Sequence, residues 1–386
     1  MKVQLIGLEI KKILLNRALY FFIGVCLIIN FAMIALTSGE HTYVSYVGEV
    51  TNSTGDQVNS TFLEYLNTRP ENAFHDRLIK NCANVEKIYD SFDAVALGEN
   101  WYYDKFYMGS PFLSGLLKNK YEKLGNSVQR LDSDNADLSI YAVDATGKVH
   151  DVLFTYVLKS LMVEGFIIIS FLTIYIMGME RQNSTAAIVY CSRRGRVLVK
   201  DKMVAAGIIS ACCILLLYVI TLLFLFSIWD FGGIWETNIA SCFHYVTDDN
   251  LPFQKPFLTW ASFTVKEYFA ASLLLEMVLL AVWQLISSCV GILSNHSAKS
   301  FLIADAILIS PYFLSVFFSK LHWWWPFYLN TFSVSMLTLH QHLWFTDLGA
   351  YELIPWQEVW SAVIHLVVCI FLFFATTKIF KRKELV

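Results

Sequence analysis

The chain has 386 residues, of which 56% are hydrophobic and 16% are charged, with a net charge of -3. A soluble domain usually carries about a quarter charged residues, so this composition excludes an ordinary soluble fold. We expect an α-helical polytopic membrane protein with some mass outside the bilayer and no nucleic-acid partner.

The first 17 residues predict a helix of their own. Leu5, Leu8 and Ile13 belong to a wide apolar stripe, while Lys11 and Lys12 occupy the remaining arc. Such a helix lies in the plane of the membrane interface rather than across it. Residues 1–17 are therefore predicted to form an interfacial elbow helix ahead of the first span.

Six stretches are mostly apolar over the roughly 20 residues that a spanning helix needs. They are Ala18–Leu36, Val157–Met179, Val204–Ile228, Phe269–Leu293, Phe301–Phe318 and Val359–Ile379. The sequence thus predicts a first transmembrane helix over 18–36, an intervening polar segment over 37–156, and five further transmembrane helices within 157–386.

Basic residues flank the predicted spans at four sites, and all four fall on one side of the membrane if the six helices alternate. They are Lys2, Lys11, Lys12 and Arg17 before the first span, the basic residues of the connector 180–203, Lys299 between the fourth and fifth spans, and Lys378, Lys381, Arg382 and Lys383 after the sixth. Basic flanks mark the cytoplasmic side. We therefore expect a multi-pass protein of a bacterial plasma (cytoplasmic) membrane, with both termini in the cytoplasm.

The polar segment 37–156 is long enough for a small extracellular domain. Residues 60–82 and 114–131 have the pattern of helices, whereas 42–50 and 138–152 alternate like strands. We expect a mixed α+β domain here. Cys82 and Cys242 are the two cysteines placed outside, and whether they form a disulfide stays open.

Tryptophan is concentrated at or beyond the outer ends of the predicted spans. The residues are Trp229, Trp235, Trp260, Trp323, Trp324, Trp325, Trp344, Trp356 and Trp360. Tryptophan prefers the headgroup zone, where its ring is buried and its N–H stays hydrated. The pattern indicates an anchoring belt or, alternatively, an amphipathic surface for a lipid-like or peptide cargo.

Three acidic residues interrupt the apolar runs: Glu164, Glu276 and Asp305. A carboxylate inside a bilayer is costly and faces protein or water. Glu276, with Gln284 two turns further on, is the candidate for a translocation path. The alternative is that Glu276 is a protonated or hydrogen-bonded packing residue.

The common catalytic motifs are not found. The sequence contains no Walker A pattern, no HExxH and no GxSxG, and His340 with His342 gives only a weak HxH metal signal. Two other functions remain as alternatives. One is a membrane-embedded enzyme that uses Glu164, Glu276 and the two histidines, and the other is a secondary transporter with Glu276 as proton carrier.

The connector between the second and third spans combines charge with an apolar patch. It contains Glu180, Arg181, Ser184, Thr185, Ala186, Ala187, Ile188, Val189, Tyr190, Ser192, Arg193, Arg194, Gly195, Arg196, Lys200 and Lys202. With the elbow helix, the large segment after the first span and five more spans, it resembles the permease subunits of ABC-2 type exporters. Asn183, Ser184 and Thr185 stand where that family more often has a glycine-bearing turn.

The resemblance implies a non-catalytic permease of an ABC transporter, working as a dimer with a second copy or a related permease. ATP and Mg would bind to separate ABC ATPase subunits, so that this chain holds no cofactor or metal. The connector would carry the coupling helix that docks on the ATPase, with Ile188 and Tyr190 as the largest apolar anchors. The alternative is a basic loop that only fixes topology. The implied cargo is amphipathic, such as a lipid, an antimicrobial peptide or a drug-like molecule.

Overall fold

A computed structural model of the chain describes residues 2–83, 85, 87–103, 110–191, 195–248, 251–294 and 296–382. This part of the chain is mostly helical. Six of its helices are long and apolar enough to cross a membrane, which confirms the prediction of six candidate spans.

The helices follow one another along the whole chain. They are α1 (Lys2–Leu14), α2 (Arg17–Leu36), α3 (His41–Thr54), α4 (Ser60–Thr68), α5 (Ala73–Cys82), α6 (Ala94–Leu97), α7 (Pro111–Ser133), α8 (Thr146–His150), α9 (Lys159–Gln182), α10 (Ala186–Cys191), α11 (Leu198–Ile228), α12 (Val265–Leu293), α13 (Ser297–Lys320), α14 (Trp324–Thr331), α15 (Val334–Leu339) and α16 (Gln357–Arg382). The six candidate spans contain α2, α9, α11, α12, α13 and α16. Two π-helical stretches, Gly98–Tyr103 and Asp151–Leu158, extend α6 and join α8 to α9.

Local capping decides where several of these helices begin. The side chain of Asn16 accepts a hydrogen bond from the Ala18 N–H at 3.0 Å, so the chain breaks after α1 and restarts as α2. Thr264 and Glu267 form a reciprocal capping box at the start of α12. Both arrangements satisfy N–H groups that a helix leaves unpaired at its first turn.

The two strands predicted within residues 37–156 are wrong. Residues 42–50 lie in α3, and 138–152 form 3-10 turns, α8 and the start of the π-helical stretch. The buried residues of α3 are Tyr43, Val44, Val47, Gly48, Val50 and Thr51, which is the spacing of one helix face. Within the described part of this segment the only β pairing is a bridge between Gln57 and Ser139. The two named strands, β1 (Tyr245–Thr247) and β2 (Gln254–Pro256), pair antiparallel in the loop before α12.

Residues 37–156 share their core with the later loops. Leu113 and Leu117 of α7 are buried in one hydrophobic cluster with Trp260 and Phe327. The Tyr89 hydroxyl donates to the Ala240 carbonyl at 2.7 Å. The segment and the loops 229–264 and 321–356 therefore pack as one unit, which we call the loop body. The end of the six long helices that carries the loop body is called the loop side, and the opposite end is called the terminal side.

A buried charge cluster holds the loop body together. The Asp347 carboxylate accepts from Lys120 at 2.9 Å and from Lys255 at 2.8 Å. Burial alone would raise the pKa of Asp347, but the two ammonium groups outweigh burial and hold that pKa well below its usual range. These residues come from α7, β2 and the loop before α16, so one carboxylate joins three distant parts of the sequence.

Cys82 and Cys242, the pair for which a disulfide stayed open, are free thiols in the structure. Burial raises the pKa of each thiol to about 12, and the proximity of Cys242 adds to the shift at Cys82. A thiol with such a pKa is almost entirely protonated at neutral pH and is therefore a poor nucleophile.

Candidate functional site

A compact ionic cluster lies where α1, α9 and α11 meet on the terminal side. Glu180, in the last turn of α9, forms an ion pair with Lys202 of α11, and Lys202 also donates to the Ile176 carbonyl at 2.8 Å. Lys12 of α1 lies 3.6 Å from Glu180 and 2.7 Å from Glu9. We call Glu9, Lys12, Glu180 and Lys202 the junction cluster. It contains two acids and two bases, of which Glu9, Glu180 and Lys202 are buried while Lys12 is partly exposed.

The connector leaves α9 through a tight turn. Ser184 has a φ of +57°, in the left-handed region where glycine is least strained. The N–H of Thr185 donates to the Glu180 carbonyl at 2.8 Å, which turns the chain back toward the end of α9. The turn thus places α10 directly beside the junction cluster.

Gly195 completes the connector after α10. A Cβ at this position would overlap the carbonyl of Val189 and the backbone of Tyr190. The chain can therefore return alongside α10 only because residue 195 has no side chain.

Two predicted docking anchors point in opposite directions. Ile188 is 77% exposed, and Ala187 and Cys191 are exposed beside it. Tyr190 is 4% exposed and its ring packs edge-on against Phe380 of α16 at 5.3 Å. Residues two positions apart on a helix, such as Ile188 and Tyr190, point about 200° apart around its axis. When one of them faces outward, the other has to face inward. The prediction of Tyr190 as a docking anchor is thus corrected, because its ring is part of the interior of this chain.

The basic residues of the connector divide into those with internal partners and those outside the described residues. Arg181 donates to the carbonyl of Ser294 at the end of α12, and Arg196 donates to the carbonyl of Lys381 at the end of α16. Both bonds satisfy carbonyls that a helix leaves unpaired at its C-terminus. Arg193 and Arg194 lie outside the described residues.

Glu276, the candidate for a translocation path, is completely buried between α11, α12 and the loop body. Its carboxyl group accepts from the Tyr218 hydroxyl at 2.8 Å and from the Gln341 amide at 3.1 Å. In the described residues it has no cationic partner. The sequence signals the acid itself, but Tyr218 and Gln341 come from distant segments and only the fold brings them together.

A cavity of about 500 Å³ lies between α9, α11 and α12, three of the helices in the candidate spans. Its walls are almost entirely apolar, and the polar groups on them include Tyr218 and Gln284. The Gln284 amide donates to Thr173 at 2.7 Å. The structure thus places Gln284 on the cavity wall and Glu276 behind that wall, with the Tyr218 hydroxyl between the cavity and the carboxyl group.

A second polar contact inside the bundle was not predicted. The Asn30 amide of α2 donates to Glu164 of α9 at 2.9 Å and to Thr221 of α11 at 3.3 Å. In the sequence, the only sign of this contact is the single side-chain amide of Asn30 within a run of apolar residues. This contact accounts for Glu164 as a hydrogen-bonded packing residue.

His340 and His342 lie on the loop side, at the wall of a smaller cavity of about 160 Å³. Burial lowers the pKa of His340 to about 4 and that of His342 to about 3, so both rings are neutral near pH 7. Among the described residues no group of three His, Cys, Asp or Glu side chains is arranged to hold a metal ion.

The chain matches no family model, no curated protein and no solved structure. Its class therefore follows from its own architecture. The six long apolar helices suggest a multi-pass membrane protein, and these helices carry a polar loop body at one end and a buried ionic junction at the other.

Proposed function

We propose that this chain is the membrane subunit of an ATP-driven exporter and that α10 is its coupling helix. The observation that carries the proposal is the exposed apolar face of α10, centred on Ile188, on a segment whose other face is anchored in the bundle. A connector that only fixed topology would need charge but no exposed isoleucine. An exposed apolar side chain on a rigid support suits a partner protein.

The anchoring of α10 offers a route for mechanical coupling. Thr185 ties the start of α10 to α9, and Tyr190 ties its end to α16. The junction cluster then links α9 to α11 and to α1. A displacement of α10 by a closing ATPase would therefore move α1, α9, α11 and α16 together. ATP and Mg would bind on the ATPase, and a second permease copy or a related one would complete the transporter.

The apolar cavity between α9, α11 and α12 supports an amphipathic cargo. A volume of about 500 Å³ with few polar groups accommodates an acyl chain or an apolar face better than a sugar or a free ion. Gln284 and Tyr218 would supply the few hydrogen bonds that orient such a molecule. A lipid, an antimicrobial peptide or a drug-like amphiphile fits this description.

Proton-coupled transport is the second candidate, and one observation favours it. Glu276 is a buried carboxyl group whose partners among the described residues are a hydroxyl and an amide rather than a cation. Such a group can exchange a proton when a cavity beside it becomes hydrated. This function needs no ATPase, whereas the exporter does.

Co-purification tests the exporter directly. The full chain is expressed with each P-loop ATPase encoded beside it, and the complex is isolated from membranes. We expect wild type to retain an ATPase, Ile188→Asp to insert normally but lose it, and Val197→Asp, a matched change elsewhere in the connector, to keep it. A charge buried against the partner without a counter-ion costs several kcal/mol. Wild-type protein without an ATPase, or Ile188→Asp with full binding, would contradict the proposal.

A further inference from the structure

A groove of about 460 Å³ runs across the loop side of the molecule, between α7 and the stretches that lead into α12 and α16. One wall is a single face of α7, formed by Leu116, Asn119, Lys123, Asn126, Ser127 and Arg130. Each of these positions has another member of the set three or four residues away, as one helix face requires. The opposite wall contains Trp260, Leu353, Ile354, Pro355, Trp356 and Trp360.

The charge of the groove has one sign. Lys123 and Arg130 are exposed on the α7 wall, about 10 Å apart along the helix axis. The lining contains no Asp or Glu. In the part of the chain that the structure describes, neither cation forms an ion pair. Two unpaired cations along one groove favour an anionic ligand.

The other wall continues into the membrane-facing surface of α16. Trp360 lies in the first turn of α16 and is 56% exposed. Val363, Ile364 and Val367 follow it at spacings of three, four and seven residues, and all three are exposed. This is one apolar stripe along the helix, and a tryptophan at its head is typical of the headgroup region.

We propose that this groove binds an anionic phospholipid from the adjoining leaflet. Its phosphate lies between Lys123 and Arg130, and one acyl chain follows Trp360 and the exposed stripe of α16 into the bilayer. A free anion would use the cations but not the stripe, and a neutral lipid would use the stripe but not the cations. The inference depends on the chain spanning a membrane, and it does not depend on the exporter proposal.

Native mass spectrometry of the full chain in mild detergent measures this binding. Phosphatidylglycerol is titrated against phosphatidylcholine as the neutral lipid. For Lys123→Gln combined with Arg130→Gln we expect about 25-fold weaker phosphatidylglycerol binding, since each basic residue near anionic headgroups contributes roughly a fivefold gain. The matched control is Lys80→Gln combined with Lys118→Gln, two exposed cations outside the groove. Equal affinity in the groove variant and the wild type would overturn the proposal.

A second arm separates a lipid from a soluble phosphate. Glycerol 3-phosphate carries the anion without acyl chains, so at millimolar concentration it should leave the phosphatidylglycerol adduct intact. Trp360→Ala removes an exposed ring and is not expected to disturb folding, yet it should weaken phosphatidylglycerol binding severalfold. Full displacement by glycerol 3-phosphate, or unchanged lipid affinity in Trp360→Ala, would show a free-anion site in place of a lipid site.

Discussion

The ammonium group of Lys202 and the carboxylate of Glu180 form an ion pair in which the two side chains are 0% and 5% exposed. They stand at facing ends of consecutive membrane helices, on either side of the connector. The Ile176 carbonyl and Lys12 complete their surroundings. The connector is therefore closed at its base by a buried charge pair, and its geometry depends on that pair.

Removing one member of this pair should destabilise the protein strongly. Lys202→Met leaves Glu180 with only the more distant Lys12, and loss of one partner from a buried pair costs about 3–5 kcal/mol. Thermal unfolding in detergent should show a marked drop in Tm. Adding Glu180→Gln to Lys202→Met should recover much of the loss, while Lys299→Met, at an exposed lysine, should change little. Equal Tm values for Lys202→Met and Lys299→Met would contradict this account.

Gly195→Ala should distort the connector without disturbing the bundle elsewhere. The added methyl group overlaps the backbone at Val189 and Tyr190, which cannot move aside like a flexible side chain. Overpacking of this kind costs about 1–3 kcal/mol. Cysteine labelling at Cys191 reports the local change, and Gly24→Ala is the control because no atom lies within 4 Å of its added Cβ. Identical labelling rates in both variants would be inconsistent with a close contact at Gly195.

Two substitutions at Glu276 should separate its shape from its polarity. Glu276→Gln keeps the size and an oxygen that accepts from Tyr218, so we expect a Tm close to that of wild type. Glu276→Leu leaves the Tyr218 hydroxyl and the Gln341 amide unpaired, at about 1–3 kcal/mol for each buried group. If the two variants unfold at the same temperature, the hydrogen bonds at Glu276 contribute nothing to stability. Transport that survives Glu276→Gln would exclude Glu276 as an obligatory proton carrier.

Stability should fall as the pH drops below about 6.5, the ordinary pKa of histidine. Burial lowers the pKa of His244 to about 4 in the folded protein, and His340 and His342 are lowered in the same way. Between the two pKa values the unfolded chain binds more protons, so stability present at higher pH is lost by about 1.4 kcal/mol per pH unit for each histidine.

The variant His244→Phe isolates one of these histidines. The ring of His244 stacks on Phe257 at 4.0 Å, and phenylalanine keeps that contact. Plots of Tm against pH between roughly 7 and 4 should be flatter for the variant than for wild type. Parallel curves would mean that His244 takes up its proton in the folded state as readily as in the unfolded one.

The six candidate spans could be predicted because hydropathy reports directly on the solvent of each segment. The bilayer requires long apolar helices, and the run in α11 meets that requirement. In α3 the same reasoning failed, because Tyr43, Val44 and Val47 are close enough together to fit both an alternating and a helical pattern over nine residues. This segment forms a helix, since α3 follows α2 almost without a break and packs in the same core.

The candidate site was predicted as residue types and not as contacts. Glu180 and Lys202 are both visible in the sequence, but their pairing depends on how α9 and α11 cross. Ile188 and Tyr190 are both large enough to serve as docking anchors, and only the start of α10 decides which of them faces out. The contact of Asn30 could not be predicted from the sequence either, since its partner Glu164 is 134 residues away.

The shared core of the loop body determines the order in which the chain can mature. Leu113 on α7 is buried in the same hydrophobic cluster as Trp260 and Phe327, and those residues are synthesised only after the third and fifth candidate spans. Contacts of such long sequence separation form late. Residues 37–156 therefore stay incompletely packed until the later helices have inserted, and the loop body is the last part of the chain to fold. A ribosome-bound chain that stops before Phe327 should accordingly expose the α7 face to protease.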